Sequence, residues 1–186
     1  MTERMFTFLG GATGPWRVAR IEAVAGDGLE RVARLDVVNR SIGSPPTSAK
    51  WVLRGVTSSE RYSTRHELDM LIAKQPALGR PEATSAALIP VKKSASWWRL
   101  AQDERRAIFE EQSEHIKIGL RYLPAVARRL HHCRDLGDRF DFLTWFEYAP
   151  SDSAAFEELV AILRRSQEWG YVEREVDIRL VRDVAA

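Results

Sequence analysis

The stretch between residues 114 and 148 constrains the fold of this chain more than any other part of its sequence. It carries His115 in a segment whose apolar spacing predicts one long helix over residues 103–122, with acidic side chains in the first turn. It then predicts a hairpin of two strands, residues 126–133 and 140–148, joined by a turn rich in aspartate and glycine. Period-two alternation on the second strand places five side chains on one face: Phe140, Phe142, Thr144, Phe146 and Tyr148.

The segments around this stretch complete a β-α-β-β-α-β order. Residues 85–91 predict a strand before the helix, and residues 171–181 predict a closing strand. Residues 153–165 predict an amphipathic helix between the hairpin and the closing strand. The order is the split-βαβ, or ferredoxin-like, arrangement of an α+β protein. One face of the amphipathic helix is apolar: Phe156, Leu159, Val160 and Leu163.

The first half of the chain predicts four strands, followed by one helix. Thr64 and Glu67 form a capping box that opens the helix, which ends before Pro76. No residue motif of the second half recurs here, so an internal duplication remains a hypothesis. We expect a single domain over residues 1–186, with an N-terminal half to about residue 82 and a C-terminal half from about residue 83. The predicted strands cover residues 5–9, 16–24, 32–38 and 50–56, and the helix turns Leu68, Leu71 and Ile72 inward.

Composition excludes several classes of protein. The 28 basic and 26 acidic residues are interspersed, and a net charge of +2 is too small to indicate nucleic-acid binding. No apolar run approaches the roughly 20 residues that span a bilayer. Residues 1–9 are too short and too polar for a secretory signal, and the single Cys133 cannot form an internal disulfide. We therefore expect a cytoplasmic protein that binds neither nucleic acid nor a membrane.

Several common enzyme motifs are missing from the sequence. His131 and His132 point to opposite faces of a strand, and no histidine or acid has the spacing of a zinc site. There is no glycine-rich phosphate loop and no G-x-S-x-G motif. A mononuclear zinc enzyme or a nucleotide-binding enzyme is therefore not indicated.

His115 is the first candidate for chemistry. On the predicted helix it shares a stripe with Ile108, Gly119 and Tyr122. A glycine inside a helix costs about 1 kcal/mol relative to alanine, so Gly119 needs a reason. Either a flat cofactor lies against the helix and His115 binds its metal, or His115 is a buried, hydrogen-bonded histidine and Gly119 packs against another helix.

Arg128 is the second candidate. Strand alternation places Arg128 and Leu130 on one face and Arg129 on the other. If the first face coincides with the aromatic face of the next strand, a permanent charge stands in an apolar wall, where it could hold an anion. Alternatively, Arg128 extends to solvent and Arg129 forms a surface ion pair.

The order and spacing of these residues resemble the chlorite dismutase family, and specifically its short, dimeric branch. The resemblance runs from about residue 51 to residue 182 and is weak over the first fifty residues. The matching positions are Lys93, Trp97, Trp98, His115, residues 128–136, residues 140–148, Glu168 and Trp169.

The resemblance implies a haem b enzyme with a dimeric α+β-barrel fold, built from two ferredoxin-like halves. It implies a homodimer that converts chlorite to chloride and dioxygen, through an oxo-iron species and transient hypochlorite. The C-terminal half would bind the haem.

The resemblance also implies a role for individual residues. His115 matches the iron ligand, Glu168 the carboxylate that accepts a hydrogen bond from the other ring nitrogen, and Lys93 the lysine beside that pair. Arg128 matches the catalytic arginine on the other side of the haem. The remaining matches are an apolar wall of Leu130, Thr144 and Phe146, two indoles that border the haem, Trp97 and Trp98, and Tyr62 near a propionate or the arginine.

Two other functions fit parts of the same pattern. Coproheme decarboxylases share the superfamily, but lack the arginine and use a reactive tyrosine at the edge of the substrate. A haem-binding or haem-sensing protein with weak peroxidase activity would bind haem without releasing oxygen rapidly.

Overall fold

The structure, a computed structural model, describes residues 4–44, 46–57 and 62–183. Within these ranges eight antiparallel strands form a closed barrel in the order β1-β3-β2-β8-β5-β7-β6-β4. The strands are β1 (Met5–Gly11), β2 (Trp16–Ala25), β3 (Arg34–Val38), β4 (Ala49–Val56), β5 (Ser85–Lys93), β6 (Ala127–His132), β7 (Phe142–Tyr148) and β8 (Val172–Arg182). The helices are α1 (Arg65–Lys74), α2 (Ala95–Arg99), α3 (Gln102–Arg106), α4 (His115–Arg121) and α5 (Ser153–Arg164).

Strands β5, β7 and β8 are largely buried on both faces. Their inner side chains, such as Leu88 and Ile178, pack in the barrel interior with aromatic residues of the first half. Their outer side chains, such as Phe146, pack against the apolar face of α5. That face is the one predicted from the sequence, and its members Phe156, Leu159, Val160 and Leu163 are all buried.

The element order predicted for the second half is found in the structure. Strand β5 is followed by helices, then by the β6–β7 hairpin, α5 and β8. The strand order within this half of the barrel is β8-β5-β7-β6. The first half differs, because residues 12–15 join β1 to β2 without a helix. The first four strands are followed by α1, as predicted.

Helix α1 confirms the predicted capping box but corrects its inward face. The Thr64 hydroxyl accepts from the Glu67 amide at 3.3 Å, and the Glu67 carboxylate accepts from the Thr64 amide at 2.7 Å. Leu71 is buried against Ile116 of α4. Ile72 is 70% exposed, so its predicted inward orientation is wrong. Only the Leu71 side of this helix lies against α4, and the Ile72 side faces solvent.

The long helix predicted over residues 103–122 is interrupted. A π-helical segment, Ala107–Gln112, follows α3, and Glu114 adopts a left-handed conformation with φ 50° before α4 begins at His115. The Glu110 carboxylate accepts from the amides of Ile116 at 2.6 Å and Lys117 at 3.2 Å, which satisfies donors at the start of a new helix. The predicted stripe through Ile108 and His115 is therefore wrong, because the π-helical segment and the left-handed Glu114 interrupt the α-helical spacing between them.

The second hairpin strand is also shorter than predicted. Strand β7 starts at Phe142, and Phe140 packs in the barrel interior instead of on the outer aromatic face.

No helix in the described residues is long and apolar enough to cross a membrane.

Candidate active site

A large cavity lies between the outer face of strands β5 to β8 and the helices that cover it. It contains about 1100 Å³ of empty space, a figure that includes its opening to solvent. The lining residues are Tyr62, Ile89, Val91, Lys93, Trp97, Phe109, His115, Ile116, Arg128, Leu130, His132, Phe142, Thr144, Phe146, Val160, Leu163, Glu168, Trp169 and Glu175.

One wall of the cavity carries a buried chain of three polar side chains. The Nδ1 atom of His115 lies 2.7 Å from Oε2 of Glu168. The Nζ atom of Lys93 lies 2.7 Å from the other carboxylate oxygen, Oε1. Glu168 and Lys93 are each only 4% exposed. The structure thus brings together three residues that are far apart in the sequence, since Lys93 and Glu168 are separated by 75 positions.

The Glu168 carboxylate is ionised at any ordinary pH. Burial alone would raise its pKa, but the charges and hydrogen bonds of His115 and Lys93 outweigh burial and lower the pKa to about 2. An ionised carboxylate only accepts hydrogen bonds, so the Nδ1 atom of His115 carries the proton. In the neutral imidazole, Nε2 then has a free lone pair with which it can bind a metal.

The interruption of the predicted helix is what sets the position of His115. Because α4 starts at this residue, its ring lies beside Phe109 of the preceding segment, with ring centroids 4.3 Å apart and nearly parallel planes. The buried Ser113 hydroxyl accepts from the Glu168 amide at 3.0 Å and fixes the backbone of the carboxylate. Sequence analysis missed Phe109, Glu110 and Ser113, because none of them belongs to a recognisable spacing.

The second wall confirms the predicted strand register. Arg128 pairs with Phe146, and Leu130 pairs with Thr144, across β6 and β7. All four side chains line the cavity, whereas Arg129 does not. The carbonyl of Arg128 accepts from Nε2 of Gln75 at 2.5 Å, which ties the end of α1 to this strand. No pattern in the sequence linked Gln75 to the site.

Gly119 lies against the side chain of Arg128 in this structure. A Cβ atom built on Gly119 would collide with the guanidinium of Arg128. The missing side chain therefore makes room for the arginine, not for packing against another helix. The guanidinium is the flexible end of a long side chain, so it can move when a ligand enters.

Two buried polar atoms at the cavity have no hydrogen-bond partner among the residues that the structure describes. They are Nε1 of Trp97 and the hydroxyl of Tyr62. The two rings lie 6.3 Å apart and at right angles. Buried donors are nearly always satisfied in native proteins, so these two indicate a ligand that accepts hydrogen bonds.

Both residues are held in place by arginines from α3. Arg105 donates to the carbonyls of Trp97 at 3.1 Å and Trp98 at 2.9 Å, which satisfies the C-terminal end of α2. Arg106 donates to the carbonyl of Tyr62 and pairs with Glu67 of α1. The backbone segments that carry these two donors are therefore held in place before any ligand binds.

Trp98 does not lie where the sequence predicted. Its ring stacks on Phe142 with centroids 6.0 Å apart, and its Nε1 donates to Asp141 at 3.0 Å. The same oxygen of Asp141 accepts from the backbone amide of Lys93 at 2.7 Å. Trp98 thus supports β5 from outside the cavity lining, because adjacent residues of the short helix α2 point in different directions.

The fold and site define an antiparallel α+β-barrel protein with a ligand cavity between its sheet and its helices. The chain belongs to the chlorite dismutase family, because the sequence model of that family matches residues 33–184. The resemblance seen in the sequence is thereby confirmed.

Individual relatives agree with this assignment. The crystal structure of dimeric chlorite dismutases from Nitrobacter winogradskyi contains a chain that is 52% identical in sequence to this one. The two structures superimpose with a TM-score of 0.88, over 95% of this chain and 99% of that one. A chlorite dismutase of Ideonella dechloratans is 38% identical over 86 residues, which span 46% of this chain but only 28% of that protein. The imidazole complex of chlorite dismutase from Candidatus Nitrospira defluvii shares the fold, with 23% identity and a TM-score of 0.68 over 96% of this chain and 91% of that one.

Proposed function

We propose that this protein is a haem b-dependent chlorite dismutase that converts chlorite to chloride and dioxygen. Family membership and the relative of 52% identity support the activity. The observation that carries the proposal is that the buried His115–Glu168–Lys93 chain shares a cavity with the guanidinium of Arg128. Release of dioxygen from chlorite by the haem-loaded protein, followed with an oxygen electrode, tests it.

The residues of the cavity fit a haem. Nε2 of His115 is the atom that would bind the iron. The unpartnered donors of Trp97 and Tyr62 suit the carboxylates of haem propionates, and the apolar lining, such as Ile89 and Leu163, suits the macrocycle. When bound, haem supplies a redox-active iron at which chlorine–oxygen bonds can be cleaved.

Glu168 and Lys93 determine the electron-donating power of His115. A carboxylate that accepts from Nδ1 gives the imidazole anionic character and strengthens it as a ligand. Lys93 holds the other oxygen of Glu168 and lies over the rings of Trp97 and Trp169, 4.8 and 5.3 Å from their centroids. These contacts keep Glu168 ionised and fixed toward the histidine.

Arg128 holds the anionic substrate. A guanidinium stays protonated at any working pH, so it attracts and positions chlorite without acting as a proton donor. In a cavity lined largely by apolar side chains, one such charge has a larger effect than it would in solvent. The same charge would hold hypochlorite, a smaller chlorine oxyanion, until the second oxygen atom is transferred.

Replacing Glu168 by glutamine tests the role of the carboxylate. The variant should keep haem, but its iron reduction potential should rise because the imidazole loses its anionic partner. An outer hydrogen-bond partner is typically worth about 10- to 100-fold in metal affinity, which corresponds to roughly 60–120 mV for one electron if the effect falls on the ferric state. Spectroelectrochemical titration measures the shift, with Glu173→Gln on the exposed start of β8 as the control. A reduction potential equal to that of the wild type would show that Glu168 does not control the electron-donating power of His115.

The oligomeric state is the next part of the proposal. We infer a homodimer of barrels, each built from two ferredoxin-like halves. The strand order β8-β5-β7-β6 supports a ferredoxin-like second half. The dimer is supported by the related N. winogradskyi protein, which is described as dimeric. Light scattering at micromolar concentration should give twice the 21.2 kDa chain mass. A stable monomer or a pentamer would contradict placement in the short branch.

Two further points complete the proposal. A cytoplasmic location is compatible with the chain's one cysteine, Cys133, whose thiol is free and buried.

A coproheme decarboxylase is supported less well, because Arg128 lines the cavity and that class lacks the arginine. The Tyr62 hydroxyl, which has no hydrogen-bond partner among the described residues, is a feature that an enzyme with a reactive tyrosine would share.

A further inference from the structure

A second cavity opens at one end of the barrel interior, on the other face of β6 from Arg128. Its lining combines aromatic rings with charged side chains. The lining residues are Phe6, Pro15, Trp16, Val37, Leu78, Arg129, His131, Trp145, Glu147 and Arg182. Nothing in the proposed reaction uses this cavity.

His131 provides this cavity with a buried acceptor. The side chain is 1% exposed, and its Nδ1 lies 3.1 Å from the carbonyl of Leu143. A carbonyl only accepts, so Nδ1 carries the proton and Nε2 has a lone pair. That Nε2 is buried and has no hydrogen-bond partner among the described residues. Burial lowers the pKa of His131 to about 4, so the imidazole stays neutral near pH 7 and keeps this lone pair.

The fold holds this imidazole in a specific place. Its ring makes edge contacts with Phe6 and Phe8, with centroids 4.9 and 5.1 Å away. On β4, a Cβ atom at Gly55 would lie 2.6 Å from the Cβ of His131, so a glycine is needed there for the two strands to approach. His131 lines the cavity, and the unsatisfied Nε2 of its fixed ring requires an explanation.

The charged side chains of the cavity are not paired with one another. Arg129 makes no ion pair within the described residues and lies over the ring of Phe6, 5.1 Å from its centroid. Arg182 donates to the carbonyl of Arg80 at 2.7 Å and lies over the ring of Trp16. Both carboxylate oxygens of Glu147 accept from neutral donors, Nε1 of Trp145 at 2.9 Å and the amide of Gly79 at 2.5 Å. Two guanidinium groups and one carboxylate therefore line the cavity, and their net positive charge favours an anion.

We propose that this end of the barrel is a second binding site, for a small aromatic carboxylate that also carries a hydroxyl group. Arg129 and Arg182 hold the carboxylate, and Nε2 of His131 accepts from the hydroxyl. The rings of Trp16 and Trp145 cover the aromatic body of the ligand. This site is independent of the proposed haem chemistry, because none of its lining residues lines the outer cavity.

Calorimetric titration of the purified full-length protein with 4-hydroxybenzoate tests the proposal. Saturable binding of one molecule per chain is expected. Phenol, which lacks the anionic group, should bind about tenfold or more weakly, and benzoate, which lacks the hydroxyl, roughly 2- to 13-fold more weakly. The ligand concentration should reach roughly 5 mM, so that even a complex with a dissociation constant of about 1 mM is detected.

Two variants and two controls locate the binding. Arg129→Ala should weaken 4-hydroxybenzoate binding about tenfold or more, whereas Arg17→Ala, on the exposed face of β2, should not. His131→Phe keeps a ring of similar size but removes the acceptor, so its affinity for 4-hydroxybenzoate should fall to that for benzoate. Arg128→Ala should bind 4-hydroxybenzoate as the wild type does, because Arg128 lines the other cavity.

Three results would overturn the proposal. They are the absence of saturable heat with 4-hydroxybenzoate, wild-type affinity in Arg129→Ala, and loss of binding in Arg128→Ala, which would place the ligand in the outer cavity. If His131→Phe does not fold, as judged by circular dichroism, the wild-type comparison of 4-hydroxybenzoate with benzoate tests the hydroxyl contact, and equal affinities would overturn it.

Discussion

Replacing His115 by alanine is expected to abolish stable haem binding. Its Nδ1 atom is engaged by Glu168 at 2.7 Å, so Nε2 is the one ring nitrogen left to bind iron. Loss of an outer partner alone typically costs about 10- to 100-fold in metal affinity, and loss of the ligand itself should cost more. Absorbance titration with haem should show a weak, altered Soret band, and oxygen production should disappear.

The control for this variant is His66→Ala, on the exposed side of α1. It removes an imidazole without touching the cavity and should bind haem as the wild type does. If His115→Ala kept a wild-type Soret spectrum and activity, His115 would not be the iron ligand. The lining of the cavity would then have to be searched for another one.

Replacing Arg128 by alanine is expected to leave haem in place but to weaken the hold on anions. The guanidinium is the cavity group best suited to this task, because strand β6 turns it toward the wall formed by Thr144 and Phe146. Loss of a charge-assisted contact should cost about 1.5–3 kcal/mol, or roughly 10- to 150-fold in affinity. Spectral titration of the ferric protein with fluoride or cyanide measures this change.

The same substitution should shorten the working life of the enzyme. Without the positive charge, hypochlorite should escape more often, so a chlorination trap should capture more of it and activity should end after fewer turnovers. Arg139→Ala removes an equal charge from the exposed turn between β6 and β7 and should change neither quantity. Equal behaviour of the two variants would mean that Arg128 acts only through the net charge of the protein.

The parts of this site that the sequence predicts are those governed by local periodicity. Alternation along β6 separates Arg128 from Arg129, and the structure places them at two different cavities. The burial of Phe156 and its neighbours on α5 follows from helical spacing in the same way. Such patterns survive folding because the side-chain period is a property of the strand or helix itself.

The rest depends on contacts between distant segments. The interruption at Glu114 exists because Glu110 caps a new helix, and continuous apolar spacing conceals it. Gly119 is explained by a guanidinium from another strand. The positions of Trp98 and Ile72 depend on which neighbour covers each side of a short helix, which no single segment specifies. The second cavity was not predicted, because its charged residues come from three different strands.

The central claim is that this cavity, loaded with haem, makes dioxygen from chlorite. An oxygen electrode, coupled to mass spectrometry with ¹⁸O-labelled chlorite in unlabelled water, measures this most directly. We expect rapid release of one dioxygen per chlorite, with both oxygen atoms labelled, and an equal amount of chloride. Free haem at the same concentration should release little. A rate no greater than that of free haem, or dioxygen carrying oxygen from water, would contradict the proposed function.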